Sequence, residues 1–178
     1  MKDKYIALTI ALCLVFIGVL LRVLPHPANF APVAAISIFG AAILPRRIAL
    51  WVPLGAMMFS DAIIGLHPLI PVTWGCYLLI ALASSRWLRQ ATLAKGASLT
   101  VAASVFFFAV TNFAVWASSG MYALNWHGFV ECYAMALPFF RNTLLSDLIY
   151  TGLLFGVYAL ASRSSRLTRK TSISTHTA

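Results

Sequence analysis

Long apolar segments separated by short polar turns are the feature that most limits the folds open to this chain. Hydrophobic residues make up 61% of the 178 residues and charged residues only 10%, whereas a soluble domain carries about 25% charged residues. Too few polar groups remain to cover a water-facing surface, so lipid must cover it. The sequence therefore predicts a single-domain, all-α, polytopic membrane protein and not a soluble enzyme.

Prolines, glycines and polar residues divide the apolar sequence into six predicted transmembrane helices. The predicted spans are residues 5–24, 31–44, 48–64, 70–88, 97–118 and 143–162. The first is expected to be a retained span and not a signal peptide, because its apolar run from Tyr5 to Leu21 is long for a signal peptide and Arg22 follows that run instead of a small-residue cleavage site. The second is short for a bilayer and is expected to be shielded by its neighbours.

Two further segments differ in composition from the spans. Residues 119–141 are aromatic and amphipathic, which predicts an interfacial or re-entrant cap. Residues 163–178 are basic and rich in Ser and Thr, which predicts a disordered cytoplasmic tail.

The distribution of Lys and Arg predicts the orientation. If the N terminus lies in the cytoplasm, eleven basic residues fall inside: Lys2, Lys4, Arg46, Arg47, Arg86, Arg89, Lys95, Arg163, Arg166, Arg169 and Lys170. Only Arg22 and Arg141 fall outside. The positive-inside rule therefore predicts cytoplasmic N and C termini. The net charge of +9 does not indicate nucleic-acid binding, because no basic helix face or base-stacking motif accompanies it.

Polar side chains collect at the predicted outer ends of the helices. Asp61 ends the third span there and Asp147 begins the sixth, near Arg22, Glu131 and Arg141. Charges at this depth are costly unless they are paired or hydrated, so they indicate ion pairs between helix ends, an outward-open ligand cavity, or both. No acid is predicted in the middle of a span, so the sequence indicates no proton path.

The inner side offers little besides Lys and Arg, so the predicted recognition chemistry faces outward. The candidate cavity residues are His26, Asn29, Asp61, His67, Trp74, Tyr77, Asn112, Trp116, Tyr122, Arg141, Asn142 and Asp147.

Three cysteines without a CxxC motif, Cys13, Cys76 and Cys132, predict neither a disulfide framework nor a zinc site. Cys76 lies near the outer end of the fourth span, beside Gly75, which would allow a large ligand to approach. Its thiolate is a soft metal ligand, although a cysteine in an apolar interior is often only a small hydrophobic residue. Ala7 and Ala11 form a small-xxx-small pattern that allows another helix to pack closely, or that arises by chance.

No catalytic motif is present. The sequence contains no GxSxG, HExxH or P-loop, so the protein is not expected to hydrolyse ATP or to be an enzyme. A membrane enzyme that uses Asp61 and Asp147 is disfavoured, because neither acid has a base or metal partner at motif spacing.

Two signatures carry a family resemblance, and the second consists of two segments. The first is Arg22–Ala35 (RVLPHPANFAPVAA), and the second is Thr111–Trp116 (TNFAVW) followed by Leu137–Asp147 (LPFFRNTLLSD); both resemble the signatures of a bacterial family of small membrane proteins. That family is related to the substrate-binding S components of energy-coupling-factor (ECF) transporters, and one branch, the BtuM type, consists of solitary cobalamin transporters.

The resemblance implies an S-component-like bundle of six helices that binds cobalamin (vitamin B12) from the outer side and mediates its uptake. Cys76 would then ligate the cobalt of the corrinoid, with incidental decyanation of cyanocobalamin. Ala7 and Ala11 would dock on an ECF coupling subunit with its ATPases, and the protein would need no cofactor of its own. Two alternatives remain open: an S-like transporter for another vitamin or metal complex, and a small scaffold subunit that transports nothing.

Overall fold

The computed structural model describes residues 2–88 and 92–174, and within these ranges the chain forms helices and turns without a strand. The helices are α1 (Lys2–Val23), α2 (Val33–Ile43), α3 (Arg46–Ala49), α4 (Trp51–Ile64), α5 (Ile70–Trp87), α6 (Leu93–Ser118) and α7 (Trp126–Ser174). The all-α prediction is therefore confirmed for the described residues.

Four helical segments are long and apolar enough to cross a membrane. They are Asp3–Val23, Arg46–Ile64, Leu93–Ser118 and Trp126–Arg163. The fold is that of an all-helical membrane protein. The count of six spans and the cytoplasmic position of both termini stay predictions.

The short helix α2 lies at the centre of the bundle. Its residues from Val33 to Ala41 are all buried, and it packs against α1, α4, α5, α6 and α7. With a rise of about 1.5 Å per residue, α2 covers roughly half of a hydrocarbon core that is about 30 Å thick. A helix of this length can lie at membrane depth because its neighbours surround it.

Helix α7 is longer than the sequence predicted. It begins at Trp126 and continues to Ser174, so most of the predicted cap and the first part of the predicted tail are helical. Pro138 lies inside the helix, where it removes one backbone hydrogen bond without ending the helix. Glu131 also lies inside the helix. Its side chain is exposed, so the helix does not bury its charge in the bundle. Only residues 119–125 form the irregular connection from α6. The last four residues of the predicted tail, 175–178, and residues 89–91, between the fourth and fifth predicted spans, lie outside the described residues.

Helices α1 and α4 approach each other closely through glycines. A Cβ atom added at Gly18 would stand 3.0 Å from the Cβ of Ala56, and one at Gly55 would stand 3.3 Å from Val15. Ala7 and Ala11 are buried on the same face of α1 as Gly18 and belong to the core of the bundle. Their small side chains face the protein's own interior here, and docking on a coupling subunit through them stays a prediction.

Replacement of Gly18 by alanine is expected to lower the thermal stability of the detergent-purified protein. The added methyl group would force α1 and α4 apart, and overpacking of this kind costs about 1–3 kcal/mol. Gly152→Ala is the matched control, because a Cβ there meets nothing within 4 Å and alanine favours a helix over glycine by up to about 1 kcal/mol. Equal melting temperatures for the two variants would contradict the close packing.

Candidate functional site

Two distant parts of the chain meet at one end of the bundle. The Asn142 side-chain amide donates to the carbonyl oxygen of Ala28 at 3.0 Å, across 114 residues of sequence. The Thr143 hydroxyl can donate to the carbonyl oxygen of Phe139 in its own helix, at 3.1 Å, or to that of Asn29, at 3.4 Å. Asn29 has a positive φ of 60°, a backbone conformation that asparagine adopts more readily than most residues. The turn before α2 is thereby fastened to α7.

A chamber with two adjoining lobes lies at this end. The first lobe has a volume of about 340 Å³ and is lined by polar residues of five segments of the chain. Its polar lining residues are Arg22, His26, Asn29, His67, Thr73, Tyr77 and Thr143. The second lobe, of about 220 Å³, has more aromatic and amide groups in its wall, including Phe108, Asn112 and Phe140, together with the hydroxyl of Thr111.

Four residues line both lobes and so mark the place where the lobes join. They are Asn29, Thr73, Phe107 and Thr143. The Phe107 ring stacks on the ring of Tyr77 with centroids 4.8 Å apart and an interplanar angle of 27°. This aromatic pair ties α5 to α6 in the chamber wall.

The charge of the lining indicates which ligands the chamber suits. Neither lobe has an acidic side chain among its described lining residues. Arg22 is the fixed cation of the first lobe, and two imidazoles, His26 and His67, add hydrogen-bonding groups beside it. A neutral or anionic molecule therefore fits this lining better than a cation does.

An ion pair between the partly buried Arg22 and the buried Asp61 holds the helix ends around the chamber. The Asp61 side chain is 1% exposed; its Oδ1 accepts from Arg22 Nη2 at 2.5 Å, and its Oδ2 accepts from the Trp74 indole at 2.8 Å. Arg22 also contacts the sulfur of Met57. These contacts join α1, α4 and α5. Asp61 and Trp74 do not line either lobe, so they support the wall from behind. Of the two interpretations of this acid, an ion pair between helix ends is the one that the structure shows.

Cys76 lies beside the chamber but does not line it. Its side chain is buried and 2% exposed, one helical turn after Thr73 and next to Tyr77, both of which line the first lobe. The thiol is free, as are those of Cys13 and Cys132. Cys132 donates weakly to the carbonyl oxygen of Asn112 at 3.5 Å. Access to the Cys76 sulfur therefore requires movement of the wall.

The remaining predicted cavity residues divide into two groups. His26 and His67 line the first lobe, and Asn112 lines the second, where its amide nitrogen donates to the Phe108 carbonyl oxygen at 2.8 Å. Trp116, Tyr122, Arg141 and Asn142 are absent from both linings. The Trp116 indole instead donates to the Ala123 carbonyl oxygen at 3.0 Å, and Arg141 is exposed.

Asp147 lies farther from the start of its helix than the predicted sixth span, residues 143–162, suggests. The sequence placed it at the start of a span, but α7 begins at Trp126, so Asp147 lies well inside that helix. Its carboxyl group is 1% exposed, and Oδ2 accepts from the Ser104 hydroxyl at 3.0 Å. It lies one turn beyond Thr143, just beneath the chamber.

Sequence reasoning missed three residues that line both lobes. Thr73, Phe107 and Thr143 were not among the candidates. Thr143 lies in the second signature and could have been proposed from it. Phe107 is one of several phenylalanines in an apolar run, and nothing local distinguishes the one that faces the chamber.

The fold and the chamber together define an all-helical membrane protein with a largely uncharged pocket at one end of its bundle. The chain belongs to DUF6580, a family of unknown function, whose sequence profile matches residues 2–170. No curated protein matches the chain, and no solved structure matches it.

Proposed function

We propose that this protein is a substrate-binding component for the uptake of an organic nutrient across a bacterial inner membrane. In this proposal it resembles an S component, with six spans and both termini in the cytoplasm. The main support for this proposal is the chamber, which segments from both halves of the chain build. It lies at the end of the bundle that the distribution of Lys and Arg predicts to be outside.

The chamber supports binding of an amphipathic ligand. Ligand pockets commonly have volumes of about 300–1,000 Å³ and combine apolar walls with a few polar groups. Here the first lobe offers Arg22, His26 and His67, while the second offers the rings of Phe108 and Phe140. A ligand with hydrogen-bond acceptors at one end and a flat apolar part at the other would use both lobes.

Cobalamin is the first substrate to test, because of the family resemblance and the position of Cys76. A corrinoid is larger than either lobe, and the Cys76 thiol is covered. Binding therefore requires the wall that carries Thr73 and Tyr77 to move and to enlarge the chamber. In that open form, the Cys76 thiolate would be the axial ligand of the cobalt, as a soft donor suited to a transition metal.

The visible absorption spectrum of detergent-purified protein tests this proposal. After incubation with hydroxocobalamin and desalting, the wild-type protein is expected to retain corrinoid with a shifted spectrum. Cys76→Ala is expected to lose the shift, because no sulfur then reaches the cobalt. Cys13→Ala is the matched control and should behave like the wild type, since Cys13 is exposed on α1.

Two other outcomes are informative. Corrinoid retained with the same spectrum in wild type and Cys76→Ala would keep cobalamin as the substrate and remove Cys76 from the cobalt. No retained corrinoid would exclude cobalamin and favour a smaller nutrient, which the observed volumes of the two lobes already accommodate.

The energy source belongs to the same proposal. The sequence has no P-loop, so ATP would act through a separate coupling subunit with its ATPases. Co-purification of such a subunit with the tagged protein from native membranes is the direct test of that partner.

A further inference from the structure

A buried carboxyl group beneath the chamber has no role in the binding of ligand described above. Asp147 is 1% exposed and lies four residues after Thr143, which is about 6 Å along an α-helix. Its Oδ1 has no hydrogen-bond partner among the described residues. Among those residues, the ion pairs are Arg22 with Asp61 and His127 with Glu131, so no cation pairs with Asp147.

The first turn of α2 faces this carboxyl group. The backbone N–H groups of Ala34 and Ala35 lie close to it, and the first N–H groups of a helix have no partner within the helix. The α2 segment, VAAISIFGAAI, contributes no titratable side chain. The positive end of the α2 dipole therefore acts on Asp147 directly.

The other helices around Asp147 contribute few ionisable groups. From α6 comes the Ser104 hydroxyl, and one turn below it the hydroxyls of Thr100 and Thr151 pair at 2.7 Å. From α5 comes Tyr77, whose phenol lies near enough to Asp147 to interact with its charge.

Tyr77 also interacts electrostatically with Arg22, Cys76 and Asp61, which are the titratable or charged groups around that phenol. Arg22 and Asp61 already neutralise each other. Ser146, next to Asp147 on α7, is also buried, and its hydroxyl oxygen has no partner among the described residues.

Two opposing effects act on the Asp147 carboxyl. An ionised carboxylate inside a membrane protein without a cation is costly, and a bound proton removes that cost. The α2 N-terminus and the Ser104 hydroxyl favour the ionised form of Asp147. A proton on the carboxylate weakens its attraction to both groups. The protonation of Asp147 therefore depends on how closely the α2 amides and the Ser104 hydroxyl approach its carboxyl group.

We propose that Asp147 is a proton-binding site whose protonation releases the first turn of α2 and thereby changes the shape of the chamber. Val33, which lines the first lobe, is joined directly to the Ala34 amide that faces Asp147, and Ala31, which also lines that lobe, lies two residues before Val33. An effect on nutrient uptake rests on the proposed function, whereas proton binding itself does not.

Infrared spectroscopy of the purified protein, without any ligand, tests the proton site. The wild type is expected to show a band of a protonated carboxyl group that disappears as the pH is raised. Asp147→Asn should lose this band, and Glu131→Gln, which changes an exposed acid, should keep it. Ser104→Ala should keep the band but shift the pH at which half of it has disappeared. This variant tests the assignment of the band to Asp147 even if Asp147→Asn folds poorly. A wild-type spectrum without a titrating band that depends on Asp147 would overturn the proposal.

Amide hydrogen exchange tests the coupling to α2. After correction for intrinsic rates, protection of the amides at 33–35 is expected to fall as the pH is lowered in the wild type and to be independent of pH in Asp147→Asn. Equal pH dependence in both proteins would overturn the coupling. A response to exchange of KCl for NaCl at fixed pH, with no response to pH, would assign a sodium ion in place of the proton and overturn the proposal. If the titrating band is present and no corrinoid is retained, the proton site stands and only the cobalamin proposal fails.

Discussion

Replacement of Arg22 by methionine is expected to lower the free energy of unfolding by about 3–5 kcal/mol, the usual cost of leaving one partner of a buried ion pair alone. Asp61 would keep its carboxylate in the interior, at 1% exposure, with the Trp74 indole as its remaining donor. The measurement is equilibrium unfolding of the purified protein in mixed micelles as the fraction of denaturing detergent is increased.

Three further variants make this measurement specific. Arg86→Met is the control for loss of a positive charge, because Arg86 is exposed on α5. The double variant Arg22→Met/Asp61→Leu should recover most of the lost stability, since replacing both partners of a buried pair is often neutral. Trp74→Phe removes one donor to Asp61 and should cost about 1–3 kcal/mol. If Arg22→Met is no less stable than Arg86→Met, the buried pair does not hold the helix ends together.

Replacement of Thr73 by tryptophan is expected to abolish ligand retention without unfolding the protein. Thr73 lines both lobes where they join, so an indole there fills the space that a ligand would occupy. We expect the retained hydroxocobalamin per protein molecule to fall at least about tenfold, equivalent to about 1.4 kcal/mol of binding free energy. Absorbance after desalting gives the retained amount, and the melting temperature confirms folding.

Leu79→Trp is the matched control for Thr73→Trp. Leu79 lies on the same helix with 54% of its surface exposed, so the same indole is added on the outer face of α5 and the chamber keeps its volume. Full retention in Leu79→Trp and loss in Thr73→Trp would place the ligand in the chamber. Equal retention in both variants would mean that the ligand binds elsewhere.

Several elements of the fold could be read from local signals. The turns around Pro25, Pro45 and Pro68 separate helices because proline cannot continue a helix through its own position. Asn29 is a further local signal, since asparagine adopts a positive φ readily. Pro138 does not act as such a signal, because it lies inside α7. A proline ends an isolated helix more reliably than it ends a helix such as α7, which packs against α6.

The polar residues show which part of the chamber lining could be predicted from the sequence. His26, Asn29, His67, Tyr77 and Asn112 were predicted to lie in a cavity, and all five line the chamber. Asp61 and Trp74 belong to the same end but bind each other behind the wall. Composition and position along a span predict the end of the bundle at which a side chain lies, but not the direction in which it points.

A helical membrane protein can be predicted from this amino-acid sequence alone, because long apolar segments favour the lipid bilayer whatever their neighbours are. Which side chains meet across the bundle becomes visible only in the folded arrangement. It joins Arg22 to Asp61 and Asn142 to Ala28, and it turns Cys76, Ala7 and Ala11 inward. The physical reason is that these helices are apolar on nearly all sides, so their periodicity does not specify an inner face. The rotation of each helix is set by close packing and by the few polar groups that must find partners across the bundle.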